Sequence, residues 1–280
     1  MKVERLVIGG RAARHYIPRL SNDRWHRMTY GRTATEAATA LAVALLLTTA
    51  CRRDVAVARL QSPVSADTLN FPAPDRPISS IVAARWTDEG DRDRFGEAAK
   101  VIQLSGVRAG MTVADIGAGD GYYVARLSPV VGASGHVLGE DIVPQYLALL
   151  RRRVASENLG NVSVVAGTPD DPRLAARSVD VALLIHMYHE ITRPYELLWH
   201  LSVALKPGGT VSILDQDAPT DRHGTPRALL RCELGALGLE QTRVETLNDG
   251  AYVALFRAPD LPVQPATVRD RLARRACAQQ

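Results

Sequence analysis

The chain has 280 residues, 46% of them apolar, which permits one substantial core in one main domain with short additions. Its formal charge of +4 belongs to the first 32 residues, which hold eight Lys/Arg and two acids, leaving 26 basic against 28 acidic residues in 33–280. With no run of Lys/Arg and interleaved aromatics either, the composition excludes a nucleic-acid face.

In chain order, the first feature is Ala37 to Ala50, an Ala/Leu-rich run between Arg32 and Cys51-Arg-Arg-Asp54. It is too short to span a bilayer comfortably but suits the apolar stretch of a secretory signal. Cys51 after Leu-Thr-Thr-Ala resembles a bacterial lipoprotein cleavage site, departing from it at Thr48, where leucine is usual. That resemblance implies a lipidated Cys51, a membrane-associated or periplasmic protein, and Met28 as an alternative start. If the run is not a signal, the protein is cytoplasmic. Residues 52–80 carry Pro63, Pro72, Pro74 and Pro77 among Ser, Asp and Thr, the composition of an extended tether. Asp91 to Ser105 reads as one helix preceding the first strand, with Trp86 and Phe95 either in a lid or packed. Residues 81–110 are assigned to that lid.

Val113 to Ile116 reads as a short apolar strand that delivers Asp115 to the loop Gly117-Ala118-Gly119-Asp120-Gly121, after which Tyr122 to Leu127 reads as a helix. Glycines at alternate positions let a ligand lie against bare backbone, and the helix start offers N–H groups to it. The spacing is G-x-G-x-G, with Tyr122 where a dinucleotide fingerprint has its third glycine. A carboxylate such as Asp115 repels a pyrophosphate and attracts an ammonium. A ligand with an amino-acid end and an adenosine end therefore fits better than NAD.

Further apolar strands are expected near 136–141, 161–165, 179–185 and 209–215, alternating with helical patterns. This is the signature of a doubly wound α/β fold with a mostly parallel sheet. The second strand ends in Glu140-Asp141, where a carboxylate can bond a ribose diol; Asp141, followed by Ile-Val-Pro144, is preferred and Glu140 is its runner-up. Pro226 to Leu237 reads as a helix. Glu240 to Thr246 and Ala251 to Arg257, joined through Leu-Asn-Asp-Gly250, form an antiparallel hairpin. The tail beyond Pro259, with Arg269, Arg271, Arg274 and Arg275, reads as a solvated helix end.

Taken together over about Phe95 to Arg257, these landmarks resemble the class I S-adenosylmethionine-dependent methyltransferases, whose first motif is an acidic residue followed by G-x-G-x-G. The resemblance implies a Rossmann-like, seven-stranded sheet with a terminal antiparallel hairpin over 111–259, and a tail at 260–280. It implies S-adenosyl-L-methionine as cofactor, held by Asp115, Gly117, Ala118, Gly119, Gly121, Tyr122 and Asp141. It also places an acid of the loop after the third strand at the adenine, here Asp170 or Asp171, although Thr168 follows the glycine directly.

Methyl transfer needs an aligned nucleophile and, where that nucleophile arrives protonated, a base. Ile185-His-Met-Tyr-His-Glu-Ile191 follows the fourth strand, whose carboxyl end faces the crevice. His189 and Tyr188 are the candidate catalytic residues, and His186 is placed along the adenosine pocket. The bland alternative is that His189-Glu190 only starts a helix. Asp215 and Asp217 offer a thin basis for a metal, and Cys232 and Cys277 lack metal-site spacing and neighbouring histidines, so no metal is assigned. The expected acceptor is a small or lipid-like molecule, with a membrane tether through the N-terminal segment or Cys51. Competing readings are a tethered, catalytically inactive S-adenosylmethionine-binding protein and an NAD(P)-dependent oxidoreductase.

Overall fold

The computed structural model describes residues 69–81, 89–247 and 250–278. The chain divides into units 1–62 and 63–280, and every described residue belongs to the second. The apolar run, Cys51 and Trp86 lie outside the described residues. No helix among those described is long and apolar enough to cross a membrane.

The elements, in order, are helices α1 (Glu89–Arg94) and α2 (Glu97–Leu104), strand β1 (Thr112–Ile116), α3 (Tyr122–Val131), β2 (His136–Asp141), α4 (Pro144–Ser156), β3 (Val162–Ala166), β4 (Val179–Ile185), α5 (Pro194–Ala204), β5 (Leu205–Gln216), α6 (Arg227–Ala236), β6 (Glu240–Thr246), β7 (Ala251–Arg257) and α7 (Pro265–Arg274). Short 3-10 turns at Tyr188–Glu190 and Thr220–Arg222 follow β4 and β5. The strands form one seven-stranded sheet in the order β3-β2-β1-β4-β5-β7-β6. Pairings from β3 through β5 are parallel, and those of β5 with β7 and β7 with β6 are antiparallel. This is the expected Rossmann-like methyltransferase fold with its terminal antiparallel pair.

Alternation along the strands builds two apolar layers. Ala114, Ile116, Ala182, Leu184, Ile213 and Phe256 pack beneath α5, α6 and α7. Val113, Val137, Val181, Leu183 and Leu214 face α2, α3 and α4. Because strand order reverses between β1 and β4, the connections that leave their carboxyl ends run in opposite directions along the sheet and leave a crevice there.

Three expectations need correction. The helix expected over 91–105 breaks into α1 and α2 at Gly96, whose φ of +66° is left-handed and stops the first helix. Phe95, just before that break, is 72% exposed and does not pack in the core. The described end of the Pro-rich segment is docked, not extended as a tether. Leu69 and Phe71 are buried, Arg76 forms a fully buried ion pair with Glu233 (3.1 Å), and the Ser79 amide donates to the His189 carbonyl. Those apolar and ionic contacts compensate the chain entropy that a tether would keep.

The C-terminal tail also differs from a solvated end. Val268 and Leu272 are buried, Arg269 donates to the Leu69 carbonyl, and Arg271 to that of Ala236. Cys277 forms a disulfide with Cys232 of α6, across 45 residues. The spacing of these two cysteines gives no sign of the pairing. It follows from α7 folding back over α6.

Candidate functional site

The crevice is a cavity of about 1100 Å³ that opens at the carboxyl ends of β1, β2, β4 and β5. That volume exceeds what one small ligand usually fills, leaving room for two reactants.

One end is built by β1 and the glycine loop. Gly117, Gly119 and Gly121 have φ of +70°, +59° and +93°, a region that side chains other than glycine's rarely adopt. A Cβ on Gly119 would meet nothing within 4 Å, so this glycine borders open cavity. A Cβ on Gly121 would lie 2.5 Å from Leu150 and one on Gly117 3.2 Å from Met187, so these two also serve packing. The loop is held from β2: the Gly119 amide donates to Asp141 Oδ2 (2.8 Å), and the Ala118 amide to the Glu140 carbonyl (2.8 Å).

Three carboxylates meet beneath this loop. Asp115 is 3% exposed and Glu140 2%, and both line the cavity with Asp141. Burial pushes Asp115 up to about 7, against the pull of Arg92 and with help from Asp141. Burial likewise pushes Glu140 up to about 8, although the Gly117 amide (3.4 Å) opposes it and Asp141 adds to it. Among the described residues, Asp115 Oδ2 and Glu140 Oε1 have no hydrogen-bond partner. Orphaned buried carboxylate oxygens are costly, and a cationic group with hydroxyl donors satisfies them. The site therefore fits a ligand carrying an ammonium and a sugar diol.

Helices α1 and α2 contribute Arg92 and Glu97. Arg92 lies 4.0 Å from the Tyr122 ring centroid, lines the cavity and donates twice to Glu97. Burial pushes Glu97 up, but His186 and Arg92 more than offset it and hold its carboxyl at about 2. Glu97 Oε2 is 3.1 Å from His186 Nε2, which ties α2 to the end of β4. His186 lines the cavity as expected and sits at φ +55°.

Asp170 and Asp171 do not border the cavity; Thr168 and Pro169 do. Asp170 instead binds Arg193 (2.8 Å) and the Thr168 hydroxyl (2.7 Å). Asp171 turns back on the Arg173 amide. The Thr168 displacement noted in the sequence has this consequence: the loop spends its acids on its own turn.

His189 and Tyr188 part company. Tyr188 points into the core, fully buried, and donates to Glu233 Oε2 (2.7 Å) under the Arg76 guanidinium (5.4 Å). It does not line the cavity, since in the short 3-10 turn adjacent side chains face different ways. His189 does line it, with Nδ1 3.0 Å from Asp215. Asp215 also accepts from the Thr225 hydroxyl (2.6 Å) and the Gln216 amide (2.9 Å). A carboxylate only accepts, so His189 Nδ1 carries hydrogen, and the neutral imidazole then has its lone pair on Nε2. Arg92 and His223 were missed in the sequence. Neither lies in a motif, and only the fold brings them to the cavity.

Residues 113–209 match the family model described as a methyltransferase domain. An arsenite methyltransferase from Halobacterium salinarum is 30% identical over 157 residues, 54% of this chain and 39% of that protein. The ubiquinone/menaquinone biosynthesis C-methyltransferase UbiE of Idiomarina loihiensis is 34% identical over 147 residues, 51% of this chain and 59% of that protein. The alignments thus span 39% to 59% of these relatives' own lengths. A solved SAM-dependent methyltransferase from Aquifex aeolicus shares the fold, with TM-score 0.55 at 22% identity, over 62% of this chain and 100% of that one.

Residues 113–209 thus match a methyltransferase domain within a Rossmann-like methyltransferase fold, and the cofactor that the relatives and the fold support is S-adenosylmethionine. Neither the comparisons nor the loop spacing supports a nicotinamide oxidoreductase or an inactive binding protein.

Proposed function

We propose that this chain transfers a methyl group from S-adenosylmethionine to a small-molecule acceptor. The observation that carries the reading is the orphaned Asp115 carboxylate beneath a glycine loop whose Gly119 borders open cavity. In this reading Asp115 holds the ammonium of the methionine half, and Arg92 stands across from it to take the carboxylate. Asp141 and Glu140 take the ribose diol, and Thr168 and Pro169 flank the base. When bound, the cofactor supplies an electrophilic methyl on a sulfonium.

What remains for the protein is positioning and exclusion of water. Arg92 of α1, together with Ser79, Ser80 and Ile81 of the docked segment, borders the cavity and in this reading shields the reactants from water. His189, fixed by Asp215, is the residue that activates the acceptor. The relatives' printed names speak of arsenite and quinone substrates, which supports a small acceptor here without choosing the atom methylated.

We further place the domain outside the cytoplasm. The signal-like run at 37–50 supports this, as does the Cys232–Cys277 disulfide, since such bonds persist in oxidising compartments. The organisation then has residues 1–51 as export segment and 111–259 as catalytic domain.

The test is calorimetric titration of the full chain with S-adenosylhomocysteine, followed by labelled-methyl transfer across arsenite, thiol, catechol and quinol acceptors. One-to-one binding with transfer to at least one acceptor is expected. Absence of binding would overturn the assignment, and mass spectrometry of the cell-expressed protein reports its N-terminus and any lipid on Cys51.

A further inference from the structure

At the acceptor end of the cavity, His189, Glu190 and His223 converge, with one ligand atom of each within 4.8 Å of the others. They come from two segments that the fold packs together, the 3-10 turn after β4 and the turn after β5. All three border the cavity. The His189 and His223 rings stand edge to face, 5.4 Å apart.

The surroundings of His189 go beyond a chance cluster. Its Nδ1 is tied to Asp215, which is itself held by Thr225 and Gln216, so the ring is oriented with the Nε2 lone pair available. A carboxylate behind an imidazole is the arrangement that fixes tautomer and orientation in metal-ligating histidines. His223 sits at φ +52°, a conformation costly for a side chain larger than glycine's.

We propose that His189, Glu190 and His223 form a binding site for one divalent, zinc-class cation. Two imidazoles and one carboxylate are the donor set of open four-coordinate zinc centres, whose fourth position is left for water or a reactant. Ligand bonds of about 2.0–2.1 Å put donor atoms roughly 3.3 Å apart. Closure from the present separations falls to the exposed His223 and the half-buried Glu190, since His189 is held by Asp215. The fourth position would face the cavity, where a bound cation acidifies a hydroxyl or thiol. A cation held on Nε2 of His189 would use its lone pair, so that in the loaded protein the cation, oriented by His189, would take over activation of the acceptor. Cation binding itself stands apart from the methyl-transfer reading.

The experiment titrates the chelator-stripped full chain, without reductant so that Cys232 and Cys277 stay paired, with zinc chloride in a competing-chelator assay. Uptake of one zinc ion per chain is expected, lost in a Glu190→Gln/His223→Ala double variant and weakened about 10- to 100-fold in Asp215→Asn, as for other groups behind a metal ligand. His223 is exposed, so the variant His223→Ala alone keeps the fold and should already bind less tightly. No stoichiometric uptake, or uptake unchanged in His223→Ala, overturns the site. S-adenosylhomocysteine titrated into the same stripped protein separates the two readings. Nucleoside binding without zinc uptake sinks the cation site alone, and zinc uptake without nucleoside binding sinks the methyltransferase assignment alone.

Discussion

The amide of Gly119 donates to the carboxylate of Asp141 at 2.8 Å, so the acid at the end of β2 holds the loop it is expected to work beside. Its other oxygen accepts from the Val143 amide at 2.8 Å, in the turn just before α4. Replacing Asp141 with Ala therefore removes a ribose acceptor and loosens the glycine loop together. Affinity for S-adenosylhomocysteine should fall by about 1–3 kcal/mol, the range for losing hydrogen bonds to a charged acceptor. Calorimetry of Asp141→Ala beside Glu140→Ala checks this. A larger loss in the Glu140 variant would move the diol to the neighbouring carboxylate, which among the described residues accepts the Gly117 amide at 3.4 Å.

Gly119 tests the loop from the other side. A valine here projects into open cavity, where the cofactor is expected to lie, and must also adopt φ +59°. The strain costs on the order of 1–2 kcal/mol of stability. Binding of S-adenosylhomocysteine should disappear while circular dichroism keeps the native spectrum. Unchanged affinity would show that nothing lies against this backbone.

The buried acids make pH a probe of the same site. Asp115 at about 7 and Glu140 at about 8 keep their protons in the folded protein well above their ordinary values. Between about pH 4 and 8 the native state thus binds more protons than the unfolded one, and stability falls as pH rises. Glu97, held at about 2, acts oppositely and only at lower pH, where acidification removes its contribution. A cationic ligand favours ionised Asp115, so its binding releases protons and tightens from pH 5 to 8. Calorimetry in buffers of different ionisation enthalpy reads that release directly. Asp115→Asn should lose it, bind about 10-fold or more weakly, and melt higher than the parent at pH 8.

Much of this was legible in the sequence, for identifiable reasons. Strands at 112–116, 136–141 and 179–185 coincide with their apolar runs, because an inner strand is buried on both faces, whereas the hairpin at 240–257 was legible from its Asn-Asp-Gly turn sequence. The glycine loop and its flanking acids were legible because backbone at positive φ demands glycine. What escaped was long-range and without local pattern. Arg76 reaches Glu233 across 157 residues, the disulfide joins α6 to the tail, and His223 meets His189 from another turn. No window of neighbouring residues encodes such meetings. They follow from sheet order, which sequence spacing constrains only loosely. Tyr188 illustrates the same limit, since one residue of rotation in a 3-10 turn separates a cavity wall from the core.

The Cys232–Cys277 bond closes a loop of 45 residues, which in the chain-entropy account stabilises the fold by about 4 kcal/mol. Reduction, or Cys277→Ser, should lower the melting temperature by several degrees and free α7 from α6. Protease cleavage within 259–264, followed by mass spectrometry, would show that release. An unchanged melt on reduction would mean that the buried Val268 and Leu272 already hold the tail.

Asp215 and Tyr188 together separate activation from architecture. Asp215→Asn replaces an obligate acceptor with an amide that can turn its NH₂ toward His189, so the imidazole loses its fixed tautomer. Methyl transfer should drop by about 10²-fold or more, the scale of losing one acid–base contribution. S-adenosylhomocysteine should bind as before, since Asp215 does not border the cavity. Tyr188→Phe removes only a hydroxyl that donates to Glu233, leaving that buried acid short of a donor beside Arg76. It should cost about 1–2 kcal/mol of stability and spare the turnover number. Single-turnover kinetics on both variants decides the matter. If Tyr188→Phe slows the chemical step as much as Asp215→Asn does, activation does not run through His189, and the buried Tyr188–Glu233 pair must communicate with the acceptor.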